Sequence, residues 1–160
     1  MYRVVLTILL VITLLLSACN TNNIDGQGNS DILYTHDREL KQNFEGVQLT
    51  MGYVVQRAGD VMVLQVTGTL VNDFSTDVYY TPTFIVEDRE GMQYESSDVQ
   101  EIALAPAQEL TFTEEIELPM DVYETNESIR FFVPAVFTQS GSMSSGDALG
   151  DTIWWELPLK

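Results

Sequence analysis

The sequence predicts an all-β fold, a sandwich of about seven strands, and three observations carry that expectation. From residue 46 onward apolar side chains recur at every second position, the spacing that turns one face of a strand toward a core. Signals built from Gly, Pro and Asp separate these runs at short intervals, as in chains of strands joined by turns. Almost no stretch of this region has the 3.6-residue apolar period of an amphipathic helix, which argues against alternating helices and strands.

The elements follow in order. Val47, Leu49, Met51, Tyr53 and Val55 share a face. Ala58-Gly59-Asp60 is a turn, so residues 61–71 fold back as the second strand of a hairpin. In that strand Gly68 interrupts the face made by Met62, Leu64, Val66 and Leu70, which marks a bulge or a close approach of another group. Residues 72–77 are polar apart from Phe74 and read as a loop. Residues 78–87 are rich in aromatic and β-branched types, and Asp88-Arg89-Glu90-Gly91 turns them into a strand over 92–95. Ala105-Pro106-Ala107 breaks the chain before a strand over 109–118, which Pro119 ends. Ile129, Phe131, Val133, Ala135 and Phe137 alternate again, residues 139–151 form a long Gly/Ser-rich loop, and Ile153, Trp155, Leu157 and Leu159 make the last strand. Glu114 falls in phase with Leu110, Phe112, Ile116 and Leu118. An unpaired buried carboxylate is costly, so this position predicts a bulge, a sheet edge or a partner such as Arg130.

The N-terminus has a different character. Arg3 precedes an uncharged run over residues 4–16, and the small residues Ser17 and Ala18 follow it, the pattern of a secretory signal. Thirteen residues are short for a helix that crosses a bilayer, which needs roughly 20. Cys19, the one cysteine of the chain, comes directly after Leu16-Ser17-Ala18. This arrangement resembles the lipobox of bacterial lipoproteins. The resemblance implies a diacylglyceryl group, with fatty-acyl chains such as palmitate, on the Cys19 thiol, and cleavage between Ala18 and Cys19. The competing readings are an ordinary secretory signal ahead of an incidental cysteine and an uncleaved membrane anchor. Two acyl chains hold a protein stably where one holds it only marginally. The expected organisation is a signal peptide over 1–18, a lipidated Cys19 and tether over 19–45, and one β-sandwich domain over 46–160. Residues 20–31, rich in Asn, Gly, Asp and Ser, have a root-mean-square reach of about 20 Å as a coil. Residues 32–44 are ambiguous: Asp37 could cap a short helix with Leu40 and Phe44 on one face.

Composition narrows the function. The net charge is −17, from 24 acidic against 7 basic residues. Such a surface repels phosphate backbones and anionic headgroups, which argues against nucleic-acid binding. The acidic residues are dispersed, as on a solubilising surface. A lipidated Cys19 leaves no thiol for a disulfide, so the core alone must hold the fold.

Several segments resemble a known group: residues 63–72 (VLQVTGTLVN), 84–94 (FIVEDREGMQY), 104–111 (LAPAQELT) and 116–119 (IELP). They are similar to the telokin-like, immunoglobulin-type domain of unknown function found in Gram-positive lipoproteins. There they form a strand, a hairpin around an acidic-Gly turn, and a Pro-containing loop leading to a strand that ends in Pro. The match covers roughly residues 46–137 and implies an immunoglobulin-like sandwich. That family has no assigned catalytic residues, so none transfers. The Gly/Ser-rich residues 139–150 and the Trp154-Trp155 ending depart from its pattern.

No motif predicts catalysis or a cofactor. His36, the one histidine, would have to serve any Ser-His or Cys-His pair, and zinc would need an unusual carboxylate set. Glu115 and Glu117 would lie about 6–7 Å apart on one strand face, a spacing that any alternating acidic strand produces and that a two-carboxylate hydrolase would also need. The acidic segments 88–95, 121–127 and 147–151 lack the EF-hand pattern, so a calcium site would have to be assembled between loops. Residues 140–146 (SGSMSSG) lack the spacing of a nucleophile elbow. In Tyr79-Tyr80 and Trp154-Trp155, neighbours point to opposite faces. Tyr79 and Trp154 are therefore candidate outward contacts for a glycan or an envelope protein, with cross-strand packing as the alternative. The sequence thus predicts a non-catalytic binding module without metal or cofactor, attached through Cys19 to the extracytoplasmic face of a cell membrane. A small carboxylate hydrolase and a solute-binding accessory lipoprotein are the alternatives. Cys19→Ala is expected to release the protein into the medium or leave an uncleaved precursor. Membrane fractionation matching that of the parent would overturn the anchor.

Overall fold

The computed structural model describes residues 30–36, 38–97, 99–138 and 148–160. Residues 1–29, Cys19 among them, Asp37, Asp98 and residues 139–147 lie outside them. The described strands are β1 (Ser30–Thr35), β2 (Leu40–Phe44), β3 (Val47–Ala58), β4 (Val61–Asn72), β5 (Val78–Tyr80), β6 (Ile85–Glu87) and β7 (Gln93–Glu95). They continue with β8 (Ile102–Leu104), β9 (Glu109–Pro119), β10 (Ser128–Val133), β11 (Val136–Phe137), β12 (Ala148–Leu149) and β13 (Ile153–Pro158). One short helix, α1 (Met120–Thr125), joins β9 to β10.

The first sheet runs β1-β3-β4-β9, with β2 beside β1 on the same edge of β3. All its pairings are antiparallel. Its inner face carries Leu49, Met51, Tyr53 and Val55 from β3, Met62, Leu64, Val66 and Leu70 from β4, and Ile116 and Leu118 from β9, all buried. The other two sheets run β13-β10-β6-β7 and β12-β11-β5-β8. The chain passes from one to the other four times through short breaks, at 81–84, 96–101, 134–135 and 150–152. They are two halves of one broken layer. Pro82 and Pro134 stand in two of the breaks, and neither can donate to a ladder. Ser96 replaces the missing ladder bonds. Its amide donates to the Phe84 carbonyl at 3.1 Å, its Oγ donates to the Pro82 carbonyl at 3.2 Å, and Oγ accepts the Phe84 amide at 3.1 Å.

The two layers meet over a largely apolar core with an aromatic seam. Phe84 stacks on Phe131 at 5.0 Å, and Phe112 of the first sheet packs on Phe84 at 6.1 Å and on Tyr80 at 5.8 Å. Gly68, directly opposite Phe112, makes room for that ring. A Cβ at Gly68 would lie 2.3 Å from the ring's Cζ.

The expectation of an all-β sandwich holds, with several local corrections. Of the segment read as tether or short helix, residues 30–35 and 40–44 are strand, and residues 19–29 lie outside the described residues: β1 and β2 continue the first sheet, because Leu40 and Phe44 pack on its core and the Glu45-Gly46 turn, with Gly46 at φ 79°, closes a tight hairpin. The domain therefore begins at least as early as residue 30, not 46. The segment 121–127 is mostly helix α1, with Val122 buried, and β12 lies inside the stretch read as one long loop. Gly68 marks a close approach, since the β4–β9 register is unbroken across it. Gly68→Ala is expected to cost about 1–3 kcal/mol by overpacking. A thermal or denaturant unfolding curve indistinguishable from that of the parent would contradict this account of the seam.

Candidate functional site

The outer face of the β13-β10-β6-β7 half is built by strand alternation. Phe131 and Trp155 face the core, so their neighbours Phe132 and Trp154 face outward. Trp154, Phe132 and Ile85 stand opposite one another as an apolar row. Two positions along, Glu156, Arg130, Glu87 and Gln93 form a second, polar row in the same register. Trp154 remains 38% exposed. The Arg130 guanidinium sits 4.6 Å from its ring centroid and Phe132 braces it at 5.2 Å with a 54° tilt. Arg130 also pairs with Glu87, whose second oxygen accepts the Gln93 amide at 3.1 Å, and Ser128 Oγ donates to Glu156. Exposed ion pairs of this kind add at most about 1 kcal/mol to stability. They bring planar hydrogen-bonding groups and an indole side by side.

A solvent-open cleft of about 640 Å³ adjoins the polar row and shares Glu87, Arg130 and Glu156 with it. Its walls are the turn at 88–91 and the segment 125–127. The Arg89 amide, which donates to Asn126 Oδ1 at 3.2 Å, joins the two. Asp88 organises the turn. Its Oδ1 accepts the amides of Glu90 at 2.8 Å and Met92 at 2.9 Å, and its Oδ2 accepts the Tyr94 hydroxyl at 3.3 Å. Burial, with the Asp88 carboxylate beside it, raises the Tyr94 pKa.

The remaining predicted positions are scattered. Tyr79 lies on the same outer layer as Trp154 but on the other half of the broken sheet, half-buried opposite Phe137, while Tyr80 is fully buried. His36 stacks on Tyr53 at 4.9 Å, and its Nδ1 lies 3.2 Å from the Tyr34 hydroxyl. Tyr53 donates in turn to the Pro158 carbonyl at 2.8 Å and ties the two layers together. Glu115 and Glu117 project from β9, Glu115 accepting the Gln65 amide at 2.8 Å. Neither lines the cleft. The acidic segments near Asp88 and Glu127 do meet, at the cleft. No group of three or more His, Cys, Asp or Glu placed to hold a metal occurs among the described residues. Residues 140–146 and Cys19 lie outside the described residues. The polar row was missed because Glu87, Arg130 and Glu156 lie far apart in sequence. Their shared strand phase with Phe132 and Trp154 was the available signal.

No protein-family model matches the chain, and no curated protein sequence matches it. Among solved structures it is similar to a functionally unknown protein from Listeria monocytogenes, with 12% identity over 83% of this chain and 89% of that one and a TM-score of 0.63. An uncharacterised β-sandwich protein from Clostridium difficile matches with 9% identity over 59% of this chain and 83% of that one, at a TM-score of 0.46. The Listeria likeness extends to the fold.

Glu114, the acidic residue in phase with the core, sits on β9, which pairs only with β4 among the described strands. The edge is what accommodates it. There is no bulge, and Arg130 pairs with Glu87 instead. Burial raises the Glu114 pKa, and its charge joins burial in pushing up that of Tyr80, whose hydroxyl has no hydrogen-bond partner among the described residues. The folded state thus holds the Glu114 proton more tightly than the unfolded chain does, and stability falls as pH rises from the unfolded pKa through the folded one. Glu114→Gln is expected to raise the melting temperature at about pH 7, with the gain vanishing below the ordinary carboxylate range near about pH 4. Thermal melts across that range check it, and a gain independent of pH would refute the assignment.

Proposed function

We propose that this chain is a lipid-anchored binding module of the bacterial cell envelope, without catalytic activity, of the immunoglobulin-type lipoprotein kind. In this reading Cys19 carries the diacylglyceryl anchor on the extracytoplasmic face, the Asn- and Gly-rich residues after it act as a spacer, and the sandwich displays the outer face around Trp154. The observation that carries the reading is Trp154 itself, a large aromatic kept partly open to solvent yet braced by Arg130 and Phe132. Rigid, partly exposed aromatics are the side chains that interfaces favour. The core contributes support by contrast: its side chains are apolar and packed, so binding falls to the surface. The net charge of −17 turns such a surface away from anionic partners.

A photo-crosslinking residue at position 154, compared with one at position 115 on the opposite layer, tests this in intact cells. Adducts are expected from position 154 and not from 115, and they should depend on Cys19. Equal labelling from both positions, or none from 154, would refute the role of this face.

A further inference from the structure

We propose that the Trp154 face binds an uncharged oligosaccharide, lying along the apolar row with its hydroxyls against Glu156, Arg130 and Glu87; this rests on the reading of the domain as a binding module. A sugar ring has an apolar C–H surface and a rim of hydroxyls that both donate and accept. A site for it needs an aromatic surface and, beside it, planar groups able to make paired hydrogen bonds. The two rows supply these in adjacent register: indole and phenyl in one, two carboxylates and a guanidinium in the next. Their mutual contacts already bring them together without a ligand, and any such preorganisation lowers the ordering cost of binding. The cleft continues the polar row into a solvent-open concavity of about 640 Å³.

Charge and contact geometry select among occupants. Glu87, Glu90, Glu127 and Glu156 at the cleft, on a chain of net charge −17, repel an anionic polymer. A basic peptide would seek the Trp154 ring for a cation–π contact, and Arg130 already occupies that position. An apolar row of three residues bordered by charge is narrow for a protein partner, whose interfaces cover about 800 Å² per side. An uncharged sugar chain escapes the repulsion and needs only the part of the Trp154 indole that Arg130 leaves open to solvent.

The test uses the full chain with its anchor in neutral detergent micelles, and four probes: cellohexaose, maltohexaose, hexa-N-acetylchitohexaose and polygalacturonate. Binding is read by calorimetry and by tryptophan fluorescence, Trp154 being one of only two tryptophans. At least one neutral hexamer is expected to bind, and polygalacturonate is not. Trp154→Ala and Glu156→Gln should each weaken binding about tenfold or more, which is about 1.4 kcal/mol. Glu115→Gln on the other layer should leave it unchanged. Should Trp154→Ala unfold the domain, Glu156→Gln decides alone, with its melting temperature as the control. Failure of all three neutral hexamers, or binding indifferent to the folded variants, overturns the proposal. Sugar binding absent while position 154 still crosslinks in cells overturns the sugar and leaves the binding module standing. Absence of both removes both.

Discussion

Asn72 is the residue on which the two layers depend. It ends β4, is fully buried, and stands where the chain leaves the first sheet for the second. Its Nδ2 donates to the carbonyls of Thr76 and Leu104, each at 2.9 Å, and its Oδ1 accepts the Phe74 amide at 2.9 Å. Its backbone amide donates to the Gln108 carbonyl and its carbonyl accepts the Ala107 amide. One side chain therefore satisfies the crossover loop and the end of β8 in the opposite layer. Each buried group left unpaired by its loss costs about 1–3 kcal/mol, a large share of a typical domain's stability. The hydroxyl of Tyr53 makes a second tie between layers at the far end, through the Pro158 carbonyl.

With the layers held, the distribution of charge follows from what each strand must do. β4, flanked on both sides, carries no charged residue, and β3 carries only Arg57 near its end. Within this sheet the carboxylates fall mainly on β9, where Glu109, Glu114, Glu115 and Glu117 line an edge strand eleven residues long. Charge on an edge discourages pairing with a second chain. Threonine pairs on the outer face, Thr67 with Thr113 and Thr69 with Thr111, knit β9 to β4 without adding charge. Glu114 is the exception that faces inward, and the partial exposure of an edge strand is what makes it tolerable.

The break across the second layer is what isolates the Trp154 face. At 134–135, a segment with Pro134, the alternation of β10 does not carry through to β11. Phe132 and Phe137 both come to face outward, although an uninterrupted strand would put them on opposite sides. The break divides the outer surface into two aromatic stations, Phe132 with Trp154 on one half and Phe137 with Tyr79 on the other. The first has a charged, hydrogen-bonded row and a cleft beside it. The second faces small neighbours, Ala103 and Ala148, in the same ladder.

The sequence alone determined what depends on period and local turn chemistry. Two-residue alternation placed the strands of the core, the Asp-Arg-Glu-Gly and Ala-Gly-Asp turns placed the hairpins, and the alternation rule told Trp154 and Tyr79 from their core-facing neighbours Trp155 and Tyr80. It did not reveal β1 and β2, because two short edge strands, β1 with a register shift between Ile32 and Tyr34, look locally like a loop followed by a short helix. The tertiary structure decided which loop meets which, that Gly68 lies under Phe112, and that Glu87, Arg130 and Glu156 stand in one row beside Trp154. Those are contacts between residues tens of positions apart, set by strand register, and no local pattern encodes register between strands that are not joined by a tight turn.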